Sequence, residues 1–197
     1  MPMTAACAPS VDWTSDGRGP AQAPPVTLTL LLGGTRSGKS SLAVRRAQAS
    51  GRAVVFVATG EAGDEEMAAR IARHRAERPT DWSTVEVPVA LEDALAGVDG
   101  DVCVVVDCLS LWVANLMGRG DGEEAVVGAA ERAAAACAAR WAPTLAVSNE
   151  VGMGVVPDTP LGRAYRDMLG RVNAVWAACA DEALLVVAGR ALALDAL

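Results

Sequence analysis

Residues 26–32, VTLTLLL, run without a spacer into residues 33–40, GGTRSGKS. A short apolar run rich in Leu, Val and Thr reads as a buried strand, and a glycine-rich octet after it forces a tight turn. The octet fits G-x-x-x-x-G-K-S, the phosphate-binding loop between a strand and a helix. Gly33 and Gly38 let the backbone curl until successive N–H groups point at one centre, and the helix opening near Lys39 adds its positive dipole end. Lys39 would reach the β- and γ-phosphates, and the Ser40 hydroxyl would hold Mg²⁺. Gly33, Gly34, Thr35, Arg36, Ser37, Gly38, Lys39 and Ser40 are therefore the first candidate nucleotide contacts. The competing reading is a glycine-rich turn with no ligand.

A chain of 197 residues with 52% hydrophobic content is long enough for one domain with a full core, which excludes a disordered protein. Its net charge of −7 argues against a general grip on nucleic acid and leaves room only for a local basic pocket. Five cysteines, Cys7, Cys103, Cys108, Cys137 and Cys179, show no C-x-x-C pairing, and their odd number does not suit a disulfide framework. A reducing, cytoplasmic setting fits them best. The first residues lack the pattern of a signal peptide, and charge interrupts every later apolar stretch before it could span a bilayer, so no membrane insertion is expected. Residues 1–25 mix Pro, Ala, Ser, Gly and Asp without periodicity and are expected to form a flexible extension ahead of one folded domain at 26–197.

Further apolar, β-branched runs occur at Val54–Ala58, Val102–Val106, Thr144–Val147 and Leu184–Ala188. The stretches between them suit helices: one from Lys39, then Asp64–Glu77, Leu91–Ala96, Leu109–Met117, Glu123–Arg140 and Leu161–Ala180. That alternation predicts an α/β fold, a mostly parallel sheet with helices on both faces. Ser83–Val89 is a weaker strand whose proline places it at an edge.

Ligands of open α/β sheets gather at the carboxyl ends of the strands, so the residues just past each strand are the natural candidates for chemistry. Asp107 ends VVVD and can order Mg²⁺ directly or through water; it can equally cap the helix starting near Leu109. Ser148-Asn149-Glu150 and the loop VGMGVVPDTP come after TLAV, where Asn149 and Glu150 could meet a hydroxyl, a base or a metal-bound water, or simply connect two elements. Arg163, Arg166 and Asp167 share a helix face, open to phosphate recognition or to a solvated, salt-bridged surface. Glu66, Arg70 and His74 stand four residues apart on the helix after the second strand, with Arg73 and Arg75 flanking His74. A histidine on a charged helix is commonly a surface residue. The alternative is an anion-binding stripe of Arg70, Arg73 and Arg75 around a nucleophile, for neutral imidazole can attack phosphorus.

Taken together, GGTRSGKS, DEEMAARIARHRAERP, VVVDCLSLWVANL and SNEVGMGVVPDTPLGRAYRDMLGRVN resemble, in order, the bifunctional adenosylcobinamide kinase/adenosylcobinamide-phosphate guanylyltransferase family of cobalamin synthesis. The resemblance runs from about Leu28 to Ala188. It implies a RecA-like P-loop fold, a homo-oligomer that is typically a trimer, Mg²⁺, and ATP and GTP as substrates. The implied reactions are phosphorylation of the aminopropanol hydroxyl of adenosylcobinamide, then transfer of GMP to that phosphate through GMP attached to a helix histidine. The histidine position matches His74, and Glu86 and Asp107 join the nucleotide-binding candidates. Arg73 stands where some members carry a second histidine, which leaves His74 as the one imidazole in the sequence. Two other classes compete: a P-loop kinase for a different small alcohol, and a nucleotide-dependent switch without an acceptor.

Overall fold

The computed structural model describes residues 27–76 and 78–196. The extension expected over residues 1–25 lies outside them, as does Glu77 at the expected end of the second helix. Strands β1 (Leu28–Leu32), β2 (Val54–Ala58), β3 (Ser83–Glu86), β4 (Cys103–Asp107), β5 (Thr144–Val147), β6 (Glu182–Val187) and β7 (Arg190–Leu194) form one sheet in the order β3-β2-β4-β5-β1-β6-β7. All neighbours run parallel except β6 and β7, which are antiparallel. Helices α1 (Lys39–Ala49), α2 (Glu65–Ala76), α3 (Leu91–Ala96), α4 (Leu109–Gly118), α5 (Glu123–Ala138) and α6 (Pro160–Cys179) fill the connections.

Strand alternation sorts the apolar residues into two cores. Leu28, Leu30, Val57, Val104, Val106 and Ala146 face α3 to α6, where Trp112, Leu169, Val172 and Trp176 are fully or almost fully buried. Leu31, Phe56, Val105, Leu145 and Val147 face Ala43 and Ala47 of α1. The Ala-rich α5 is packing material as its composition suggests, burying Val126, Ala130, Ala133, Ala134 and Cys137. Helices thus cover both faces, as the alternation of runs predicted.

Three details depart from the sequence reading. Strand β6 begins at Glu182, two residues early, because that carboxylate has protein partners: it accepts from Thr29 and pairs with Arg46 of α1. Strand β7 is additional; its five residues are all exposed, so hydrophobic alternation gave no burial signal there. Strand β3 does lie at an edge, but it stops at Glu86, ahead of Pro88.

Candidate active site

Because six of the seven strands are parallel, the chain leaves β1, β2, β4 and β5 along the same rim of the sheet. The P-loop comes after β1, Asp107 closes β4, and β5 lies between them and delivers Ser148 and Asn149. The order of strands, invisible in the sequence, is what gathers these groups.

The P-loop is held from three directions. Gly33 and Gly38 have φ values of 149° and 102°, and Arg36 sits at 57°. A Cβ on Gly33 would lie 2.2 Å from the Val186 carbonyl oxygen, so only glycine lets β1 turn this close to β6. The Gly189 N–H, in the turn joining β6 to β7, donates to the Ser37 carbonyl at 2.8 Å. The Lys39 ammonium donates to the carbonyls of Gly33 and Gly34, each at 2.8 Å. Burial pushes the Lys39 pKa down, while the nearby Cys108 and Asp107 oppose that shift. Helix α1 starts at Lys39 with no acidic residue in its first turn, so nothing offsets the positive end of its dipole.

Beside the loop opens a cavity of about 590 Å³, a size suited to a nucleotide. Thr35 to Ser41 form one wall, and Glu66, Arg70, Arg73 and His74 of α2 form the other. The four-residue spacing has brought Glu66, Arg70 and His74 to one surface, as the helical pattern predicted. Asp107, Glu86 and Asn149 also line it. Arg75 points elsewhere on the helix and pairs with Glu86 at 3.0 Å, an exposed contact that ties α2 to β3. A smaller hollow of about 250 Å³ between α1 and Phe56 shares His74, Arg78, Ser40 and Asp107 with the main cavity.

Helix α2 is attached differently from every other long helix, since none of its residues is buried. Asp64 caps it by accepting from the Met67 N–H at 2.7 Å. The arginines of its last turn, Arg73 and Arg75, suit the negative end of the helix dipole. The Arg75–Glu86 pair, and the Arg119–Glu61 pair at 3.0 Å just ahead of the helix, are exposed contacts of the kind worth at most about 1 kcal/mol each.

The base of the site is more rigid. Thr59, fully buried, accepts from the Cys108 N–H at 2.8 Å and donates to the Cys108 carbonyl at 2.7 Å, locking the end of β2 to the end of β4 beside Asp107. Asn115 of α4 donates to the Thr59 and Pro88 carbonyls. The Cys108 thiol is pushed up to about 11, chiefly by burial, which keeps it a protonated neighbour rather than a nucleophile.

Arg78 is the lining residue that motif reading passed over. Its guanidinium lies 3.4 Å from the centre of the Phe56 ring and borders both hollows. Burial lowers its pKa and Asp107 opposes the change. The available signal was an arginine directly before Pro79, just past the histidine helix. Arg163 and Arg166 resolve the other way: Arg163 donates to the Pro157 and Asp158 carbonyls and Arg166 to Asp167, and neither lines the cavity. Among the described residues no group of three His, Cys, Asp or Glu side chains could hold a metal by itself. Ser40 and Asp107 nevertheless both line the cavity and offer hard oxygen donors, a set that suits Mg²⁺ when phosphates supply further oxygens.

These features define an α/β P-loop nucleotide-binding protein in which a histidine helix faces the phosphate loop. Strand β5 between the P-loop strand and the Asp107 strand gives the sheet its RecA-like order. The profile of the cobinamide kinase/cobinamide phosphate guanyltransferase family matches residues 29–194, and the chain belongs to that family. It is 43% identical over 161 residues to the bifunctional adenosylcobalamin biosynthesis protein CobP of Pseudomonas aeruginosa, spanning 81% of this chain and 92% of the relative. It is 40% identical over 178 residues to the bifunctional adenosylcobalamin biosynthesis protein CobU of Salmonella typhimurium, spanning 82% and 96%. Among solved structures, the RadB recombinase is similar in outline, with a TM-score of 0.47 and 19% identity over 83% of this chain and 74% of that one, a likeness that carries no argument about activity. No helix among the described residues is long and apolar enough to cross a membrane.

Proposed function

We propose that this protein is a transferase that uses one nucleotide site twice, first as adenosylcobinamide kinase and then as adenosylcobinamide-phosphate guanylyltransferase. The observation that carries this reading is His74, the single histidine of the chain, on the wall of a nucleotide-sized cavity opposite the P-loop. A plain kinase has no use for an imidazole there.

In the first reaction the aminopropanol hydroxyl of adenosylcobinamide attacks the γ-phosphorus of ATP or GTP. The P-loop N–H groups and Lys39 hold the phosphates and offset charge on the departing diphosphate. Ser40 and Asp107 would hold Mg²⁺, which supplies further charge neutralisation on the phosphate oxygens. In the second reaction an imidazole nitrogen of His74 attacks the α-phosphorus of GTP. A P–N bond forms, the α–β bridging P–O bond breaks, and pyrophosphate leaves with the electron pair. Arg70 and Arg73, on the same wall, stabilise charge developing on the phosphoryl oxygens. A phosphate oxygen of adenosylcobinamide phosphate then attacks the same phosphorus, the P–N bond breaks, and adenosylcobinamide-GDP is released. Glu86, lining the cavity at the end of β3, is placed to accept from a base edge, and Arg75 holds its carboxylate.

Two phosphorus atoms of a triphosphate must be presented to two nucleophiles in turn. The weak attachment of α2 supports a shift of that helix between the steps. The exposed apolar residues Val155, Met153 and Leu161 support assembly of copies of this chain, a trimer by the family resemblance.

The deciding experiment incubates protein and Mg²⁺ with GTP labelled at the α- or the γ-phosphorus, then denatures the protein and tests retained label for acid lability. Acid-labile α-label that vanishes in His74→Ala, with phosphorylation of adenosylcobinamide retained, is the expected result. Wild-type protein that binds GTP but keeps neither label refutes the covalent step and leaves a simple kinase.

A further inference from the structure

The loop after β5 carries Asn149, a polar residue on the cavity lining that neither reaction above uses. Register fixes its place: Val147 is level with Leu31 of β1 on one side and with Asp107 of β4 on the other. Asn149 therefore stands two residues beyond that level, between the first glycine of the P-loop and the aspartate. The backbone around it is fastened at three points. The Ser148 N–H donates to the Leu31 carbonyl at 2.9 Å, and the Glu150 N–H to the Gly33 carbonyl at 3.0 Å. The Asn173 amide donates to the Asn149 carbonyl at 3.0 Å, while Asn173 itself is buried and accepts from the Ser148 hydroxyl at 2.6 Å.

All this support goes to the main chain and leaves the Asn149 side-chain amide on the cavity lining. Its neighbour behaves oppositely, for the Glu150 carboxylate turns back to accept from the Gly152 N–H of its own loop. A polar group presented on a rigid base, between the two phosphate-binding elements, is the arrangement expected of a group that handles substrate.

We propose that Asn149 positions the attacking hydroxyl at the γ-phosphorus, which makes it a determinant of the phosphoryl step and not of the guanylyl step. Its amide oxygen accepts from the substrate hydroxyl, and its NH₂ donates to a γ-phosphoryl oxygen. As the hydroxyl oxygen bonds to phosphorus, the β–γ bridging P–O bond breaks and its electron pair stays on the departing diphosphate. The hydroxyl proton passes to a transferred phosphoryl oxygen and then to solvent, so no strong base is needed. His74 acts at the other wall on the α-phosphorus, which is why one substitution separates the two steps. This assignment rests on the bifunctional reading.

The test measures two reactions on the same preparations: phosphate transfer from γ-labelled ATP to adenosylcobinamide, and GMP transfer from GTP to preformed adenosylcobinamide phosphate. For Asn149→Ala the expected result is a fall of about 100- to 1,000-fold in kcat of the first, the range for removing one preorganised polar contact to a transition state. The kcat of GMP transfer, the acid-labile GMP formed at saturating GTP and the melting temperature are expected to stay within about twofold or a degree of wild type, any loss of γ-phosphate contact appearing in the KM for GTP. Asn149→Asp, which sets a carboxylate against the γ-phosphate, is expected to lower kcat of the first reaction further and to raise the KM for nucleotide in both, since GTP brings the same phosphate to the same site. Equal losses of kcat in both reactions, or an unchanged phosphoryl kcat, overturn the assignment. Wild-type protein inactive in both reactions instead overturns the bifunctional reading on which it rests.

Discussion

Gly33 belongs to the phosphate-binding pattern, yet its first duty here is to let two strands meet. A Cβ added to it would stand 2.2 Å from the Val186 carbonyl oxygen and 3.0 Å from the Ser37 hydroxyl. Carbon and carbonyl oxygen keep about 3.3 Å even in their closest favourable contacts, so β1 and β6 would have to part by roughly 1 Å. The obstacle is backbone, which cannot rotate away as a side chain can. Alanine is also strained at a φ of 149° that glycine adopts freely. Local strain of about 1–3 kcal/mol and overpacking of about 1–3 kcal/mol sum to about 2–6 kcal/mol for Gly33→Ala. For a domain of this size that corresponds to a loss of about 4–24 °C in Tm. Gly34→Ala is the internal control, because a Cβ there meets nothing within 4 Å and its φ is not in the left-handed range. The assay is thermal unfolding of both variants without nucleotide, which isolates packing from phosphate binding. Equal melting temperatures for the two would refute the argument and return Gly33 to a purely ligand-facing role.

Two further outcomes are expected of the same structure. Thr59→Val keeps the shape but removes both hydrogen bonds to Cys108, leaving the Cys108 N–H without its partner while the carbonyl keeps the Trp112 N–H; a cost of about 1–3 kcal/mol is expected in chemical denaturation, with weaker Mg²⁺-nucleotide binding because Asp107 adjoins the loosened peptide. Asp181 accepts from the Leu28 and Thr27 N–H groups and the Thr27 hydroxyl, and Glu182 is held by Arg46, so both carboxyl pKa values lie below their ordinary range in the folded state. The unfolded chain therefore takes up protons first as pH falls. The stabilisation is present above about pH 4 and is lost below it, and Asp181→Asn is expected to flatten that acid limb in unfolding curves recorded between about pH 6 and 2.

The elements that the sequence declared best are those whose burial is two-sided or strongly periodic. Val104, Val105 and Val106 are buried on both faces of the sheet and read as a strand without ambiguity. The histidine helix was legible because Glu66, Arg70 and His74 repeat every fourth residue, and all three reach the cavity. Strand β7 was not, since Leu192 and Leu194 are exposed and its pairing with β6 depends on the backbone. The order of strands was equally hidden, because register contacts join residues more than a hundred positions apart, as Leu31 with Val147 and Leu184. That concealed order decides that Asn149 stands beside the P-loop. Arg78 was passed over for a different reason: its importance lies in the Phe56 ring beneath it, which belongs to another strand.

The attachment of the P-loop to the last hairpin has a consequence for how the protein is made. Strand β1 leaves the ribosome before the other strands of this sheet, and both strands that flank it, β5 and β6, are translated more than a hundred residues later. The hydrogen bond from Gly189 to Ser37 comes later still. A nascent chain therefore carries the complete GGTRSGKS motif long before it has the scaffold that shapes it, and a partly synthesised polypeptide holds no finished trap for GTP. Nucleotide capture is deferred until nearly the whole domain has emerged.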